Sequence, residues 1–286
     1  ALDALECIAK WWAVYRAHPE AIILGSGLGS VAEAKRPGRV AVFLGFQHPD
    51  ALEGRLYMVD VFYKLGVRFF QLTYQHKNLI GDGCGERTDC GLSKFGIRLV
   101  ERLNDVGMVI DLSHVGIQTT LDAIEHSRHP VVITHTAARA LCDTPRNKTD
   151  TEIRACAERG GVICIGPKSG FLRSDGLARG TTLDDYIAHI DYVRDLVGIE
   201  HVGIGTDVGD ERKYTKEKMA EFNVRYPEVA IIDSTLRVDL MHTEGLQSPR
   251  TLYNVVAALV DHGYSDHDIR AVIGGNVMRV LEQVWQ

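Results

Sequence analysis

Residues 107–141 read GMVIDLSHVGIQTTLDAIEHSRHPVVITHTAARAL. Two short apolar runs, 107–113 and 130–134, flank a helical stretch at 118–127. Neither run alternates apolar with polar as a half-exposed strand does. Continuous apolar runs of this length suit parallel strands covered on both faces, and a strand–helix–strand order is the unit that builds such sheets. Each run also ends on a histidine, His114 and His135. Polar groups at the tips of buried parallel strands are where barrel enzymes carry their chemistry.

The same alternation extends in both directions. Upstream are an apolar segment at 21–24, a strand at 40–46 (VAVFLGF), a helical stretch at 51–65, a strand at 67–74 (VRFFQLTY), and a glycine-rich loop at 81–91. A helix follows over 93–106, with Ser93 as its N-cap. Downstream come a helix at 150–159, a strand at 161–166 (GVICIG), a helix at 183–197, a strand at 201–206 (HVGIGT), and closing helices at 249–262 and 265–285. The charge-rich segment 209–245 has no clear strand and reads as a lid. Six strand–helix units can be counted, whereas a closed (β/α)8 barrel has eight. The expected fold is therefore an α/β, TIM-barrel chain of the metal-dependent hydrolase type lacking its first two βα units. It opens instead in a helical stretch, 2–17. On this reading about 50–60 further N-terminal residues, or another segment or chain, would supply the two strands.

The bulk properties exclude other classes. With 45% hydrophobic residues over 286 positions, the chain can bury one large core, so it is read as a single domain, 1–286. A net charge of −6 with no basic stripe argues against nucleic acid as a partner. No apolar run reaches membrane-spanning length, and residues 1–15 do not read as a signal peptide, so the protein is read as either cytoplasmic or shorn of a leader. The six cysteines form no CxxC pair, which points to reduced thiols and a cytoplasmic location. Homo-oligomerisation is left open.

The strand tips supply the candidate chemistry: Gln47 and His48; Tyr74, Gln75 and His76; Asp111, Ser113 and His114; His135; Lys168; Asp207. Imidazole nitrogens on neighbouring strands suit zinc, and a nearby carboxylate can take a proton from an activated water. Each residue alone has a plainer reading. A single histidine after a strand is ordinarily a hydrogen-bonded loop residue, and Asp207 could cap a helix. His189 and His201 read as packing or surface residues. The loop GDGCG at 81–85 follows no strand directly and lacks phosphate-loop spacing, so it reads as a turn. Arg146 and Asn147, in PRNKTD, form either a turn before a helix capped by Thr149 or Asp150, or a cradle for a substrate carboxylate.

Several of these segments together resemble the membrane (renal) dipeptidase family, peptidase family M19. They are IDLSHVG at 110–116, ITHTAARAL at 133–141, PRNKTD at 145–150, LTYQHKNLIGDGC at 72–84, GLSKFGIRLVERLN at 91–104, HVGIGTD at 201–207 and the tail 252–285. The resemblance runs in order from about residue 21 to the end. It implies a (β/α)8 barrel that hydrolyses dipeptides with two zinc ions. His114 and His135 would bind one ion, Asp207 would handle the catalytic proton, and Arg146 would hold the substrate carboxylate.

The chain departs from the family pattern in three places. No HxD motif, which would bind the second ion, precedes Gly45. The bridging glutamate is replaced by Gln47, in GFQ, and a substrate-contacting histidine by Tyr74. A neutral amide is a weak zinc ligand and brings no charge to offset two dications. The reading is thus a divergent dipeptidase-like hydrolase cleaving a dipeptide-like amide by metal-activated water, with at most one firm zinc site. Its ligands are His114 and His135, with Gln47 as a weak third. Asp207 is the proton acceptor, and Arg146, Tyr74 and Asn147 contact substrate. The rivals are a barrel that binds a small amino-acid-like ligand without chemistry, and a non-peptide C–N hydrolase or lyase on the same scaffold.

Overall fold

The computed structural model describes residues 1–208, 215–225 and 238–285. Among the described residues, eight strands form in chain order: β1 (Ile22–Leu24), β2 (Val40–Val42), β3 (Leu44–Phe46), β4 (Val67–Gln71), β5 (Val109–Asp111), β6 (Val132–Thr136), β7 (Val162–Ile165) and β8 (Val202–Ile204). The six from β3 to β8 make one sheet in sequence order, and every pairing within it is parallel. Helices connect the successive strands, as in consecutive units of a β/α barrel. All six strand tips therefore point to one face.

Burial explains the unbroken apolar runs. Val109, Val132 and Val162 face the C-terminal helix Asn276–Val284 through Val280, Leu281 and Val284. Their neighbours Ile110, Ile133 and Ile163 face the opposite way, into the larger core with Leu99, Leu103 and Ile190. Local signals set the helix ends. Ser93 caps Lys94–Val106 by accepting from Gly96 N, and Gly107, with φ 75°, ends that helix. Thr149 and Glu152 form a capping box on Asp150–Glu158.

Two sequence expectations need correction. Residues 40–46 are two strands, not one. β2 pairs with β1 in a separate two-stranded parallel sheet, and β3 joins the main sheet. The break falls at Phe43, whose ring stacks on Trp285 at 4.8 Å and packs so closely over Gly25 that a Cβ there would lie 2.4 Å from it. The segment at 21–24 is accordingly a strand, followed by the helix Leu28–Ala34. The closing stretch 265–285 is also interrupted: Asp266–Arg270 passes through a wide π-type turn, Ala271–Gly275, into Asn276–Val284. Of the segment read as a lid, 209–214 and 226–237 lie outside the described residues, and Lys216–Arg225 is helical. No helix among the described residues is long and apolar enough to cross a membrane.

Candidate active site at the strand tips

The tips of β5 and β6 are joined by one buried carboxylate. Asp111 Oδ1 accepts from Ser113 N at 3.0 Å, Ser113 Oγ at 2.6 Å and Thr134 N at 3.0 Å, while Oδ2 accepts from Thr134 Oγ1 at 2.5 Å. Because the Thr134 hydroxyl donates to Asp111, its oxygen is the acceptor for His135 Nδ1, 2.8 Å away. That relay places the His135 proton on Nδ1 and leaves Nε2 with a lone pair, the arrangement a metal-ligating histidine requires. His114 Nε2 lies 2.9 Å from His135 Nε2.

Both imidazoles are buried. Burial, with Arg146 and then His135 nearby, holds the His114 pKa well below the ordinary histidine value. His135 is lowered chiefly by burial, against an opposing pull from Asp207. Two neutral rings result, with two Nε2 atoms converging and His114 Nδ1 buried without a hydrogen-bond partner. This donor set fits two ligands of a zinc-like ion. Among the described residues, no group of three or more His, Cys, Asp or Glu side chains is clustered to hold a metal.

Asp207 follows β8 in a left-handed conformation, φ 45°, uncommon for a residue with a Cβ. Burial alone would raise its pKa, but Lys168, His135, Arg146 and His242 together bring it below the usual carboxylate value. Lys168 Nζ lies 3.6 Å from Asp207 Oδ2. His242 completes the group and was missed in the sequence. It arrives because residues 241–243 lie antiparallel on the tip of β7: Ser169 N donates to Met241 O at 2.9 Å, and Thr243 N to Pro167 O at 2.8 Å. Its imidazole hydrogen-bonds the Asp207 main chain, and burial followed by Lys168 lowers its pKa to about 4. The only signal in the sequence was a histidine inside the segment read as a lid.

The remaining candidates divide sharply. Tyr74 stacks on His114 with ring centroids 4.2 Å apart. Arg146 is only 1% exposed; its NH1 donates to Ser113 O and its NH2 to His135 O at 3.1 Å, with the guanidinium 4.9 Å from the Phe171 ring centroid. Asn147 Nδ2 donates to Cys142 O and Phe171 O, and Lys148 Nζ to Val115 O. The PRNKTD segment therefore pins main-chain carbonyls of the loops around both histidines. The helix cap is Thr149. Among the described contacts, Gln47 meets none of these groups. Its carbonyl accepts from Gln71 Nε2, while its side chain is exposed beside a cavity of about 520 Å³ against the helix Leu2–Ala17. His189 is a packing residue, as read: Nδ1 accepts from Ala138 N and Nε2 donates to Leu172 O.

Comparison with known proteins matches the model of the membrane dipeptidase family, peptidase family M19, over residues 2–228. Dipeptidase verJ of Clonostachys rogersoniana is 30% identical over 256 residues, covering 89% of this chain and 58% of that protein. Dipeptidase 3 of Rattus norvegicus is 27% identical over 292 residues, covering 100% and 52%. The chain thus spans about half the length of these curated relatives. Among solved structures, an amidohydrolase from Pseudomonas aeruginosa superposes with a TM-score of 0.87 at 30% identity, over 99% of this chain and 85% of that one.

Proposed function

The chain belongs to the membrane dipeptidase family, peptidase family M19, and on that premise we propose that it hydrolyses a dipeptide-like amide at a single divalent ion, zinc, held by His114 and His135. We take residues 1–286 as one barrel domain, a reading supported by a core that runs continuously from Ile8 to Val272. The six free cysteines support placing it in a reducing, cytoplasmic compartment.

The observation that carries the reading is the pair of neutral imidazoles whose Nε2 atoms converge at adjacent strand tips. A zinc bound there supplies a Lewis acid that makes water acidic near neutral pH. Asp207, kept ionised by its cationic neighbours, accepts a proton from the attacking water and returns it to the leaving amine. Asp111, through Thr134, keeps His135 in the ligating tautomer. Tyr74 packs one face of His114 and shapes the mouth beside it. Gln47, neutral and exposed, is at most a weak ligand.

Elemental analysis after purification without chelators tests this directly. About one zinc per chain is expected, together with hydrolysis of dipeptide-like amides and only weak turnover of ordinary L-dipeptides. His114→Ala and His135→Ala should each remove both metal and hydrolysis while leaving the thermal unfolding transition cooperative. Full zinc occupancy in either variant would refute the ligand assignment. A protein that stays metal-free when zinc is supplied would instead be a ligand-binding barrel.

A further inference from the structure

The hydrolase reading above, on which this inference rests, gives Asp207 the proton transfer. Its carboxylate must then be held at one place. Asp207 lies just past β8 in a left-handed backbone conformation, φ 45°. A residue with a Cβ keeps such a conformation at a cost of about 1–3 kcal/mol, and only where its surroundings impose it.

Lys168 and His242 face each other across an antiparallel bridge at the tip of β7. From that bridge they reach the two ends of Asp207. Lys168 Nζ lies 3.6 Å from the carboxylate Oδ2. The His242 ring bonds the main chain; because that bond favours the protonated ring, the imidazole donates and the Asp207 carbonyl accepts. A lysine on its flexible stem can follow a carboxylate as it swings. The imidazole is a short, rigid group, 3% exposed, and its bond is to the backbone itself.

The segment that carries His242 is anchored without the ring. Ser169 N donates to Met241 O at 2.9 Å, Thr243 N to Pro167 O at 2.8 Å and Glu244 N to Thr181 O at 2.9 Å. The buried Thr243 hydroxyl donates to Pro167 O at 3.1 Å and lies 3.0 Å from Thr181 Oγ1. The ring's bond is therefore not what keeps residues 241–244 in place. What it determines is the conformation of Asp207.

We propose that His242 is a positioning residue for the proton acceptor: it holds the Asp207 main chain in its left-handed conformation, so that the carboxylate meets the attacking water at a set place. His242 acts through Asp207 and takes no part in the proton transfer itself.

Crystal structures and kinetics of the zinc-supplied protein test this. The wild type should show the His242–Asp207 bond with Asp207 left-handed. In His242→Leu, or in His242→Ala if the leucine does not pack, Asp207 should leave the left-handed region. Hydrolysis of a dipeptide-like amide should then fall about 10–100-fold in kcat, the effect of a misplacement of about 1 Å, with KM and zinc content close to wild type. Whichever ring nitrogen donates, either His242→Asn or His242→Gln sets an amide N–H near its place, and that variant should recover most of the lost kcat. An Asp207 that stays left-handed without the ring, a kcat loss that neither amide variant recovers, or a raised KM with kcat kept would overturn the assignment. If the ring holds Asp207 as described and the wild type hydrolyses no amide, the hold stands and the hydrolase reading falls.

Discussion

Two regions of the same sheet face treat their strand-tip residues in opposite ways. At β5 and β6, Asp111 takes four hydrogen bonds, and these fix the backbone of both histidine-bearing segments and, through Thr134, the proton on His135. At β3, among the described residues, the Gln47 main-chain carbonyl accepts from Gln71 Nε2 and no side-chain hydrogen bond holds Gln47, whose side chain is exposed beside a cavity. A side chain that must ligate or move a proton at a set place needs its rotamer and tautomer fixed by other buried groups. The difference marks β5 and β6 as the preorganised part of the candidate site and β3 as a part whose tip side chain no contact among the described residues holds to one geometry.

The largest effect should come from removing the shared carboxylate. Asp111→Ala removes the acceptor of two main-chain N–H groups and two hydroxyls, leaving the hydroxyls only each other and His135 as partners. The expected cost is about 3–5 kcal/mol by urea unfolding, with zinc affinity down about 10–100-fold as His135 loses its tautomer control. A cost under about 1 kcal/mol would show that the relay does not distinguish these tips from that of β3.

A smaller effect follows from proton linkage. The folded chain holds His114, His135 and His242 below the ordinary value of 6.5. As pH falls below 6.5, the unfolded chain binds protons that the folded chain refuses, so stability declines on acidification. For His242 the window runs from 6.5 down to about 4. Its share between pH 7 and pH 5 is about 2 kcal/mol. His242→Gln should therefore lose about 2 kcal/mol less than wild type when urea unfolding is repeated at pH 5. Equal losses in the two proteins would place the acid sensitivity elsewhere.

What the sequence disclosed follows the range of the interactions. The strands of the main sheet were legible because residues such as 108–110 and 162–165 are apolar on both faces and covered on both. The run at 40–46 misled because its apolar character is continuous; the break at Phe43 is imposed by Trp285, at the far end of the chain. His114, His135 and Asp207 were legible because each sits at a strand tip. His242 was not, because it reaches the site only through an antiparallel bridge to Lys168. Arg146 was visible as a residue while its partners were not, since nothing local tells a guanidinium bound to main-chain carbonyls from one awaiting a carboxylate.

The smallest effect is expected where the comparison is sharpest, at Gln47. Its side chain is exposed, so Gln47→Glu should change stability by no more than about 0.5 kcal/mol. The substitution restores the charge and length of a bridging carboxylate. Two dications a few ångströms apart repel strongly and need several anionic ligands, and Glu at this position would supply one. No buried donor among the described contacts would hold that carboxylate toward His114 and His135, so it would also lose side-chain entropy on binding. Zinc stoichiometry by calorimetry should therefore stay near one per chain in Gln47→Glu, with at most a severalfold gain in affinity at the existing site. A second tight zinc in this variant alone would mean that charge, not preorganisation, is what the tip of β3 lacks.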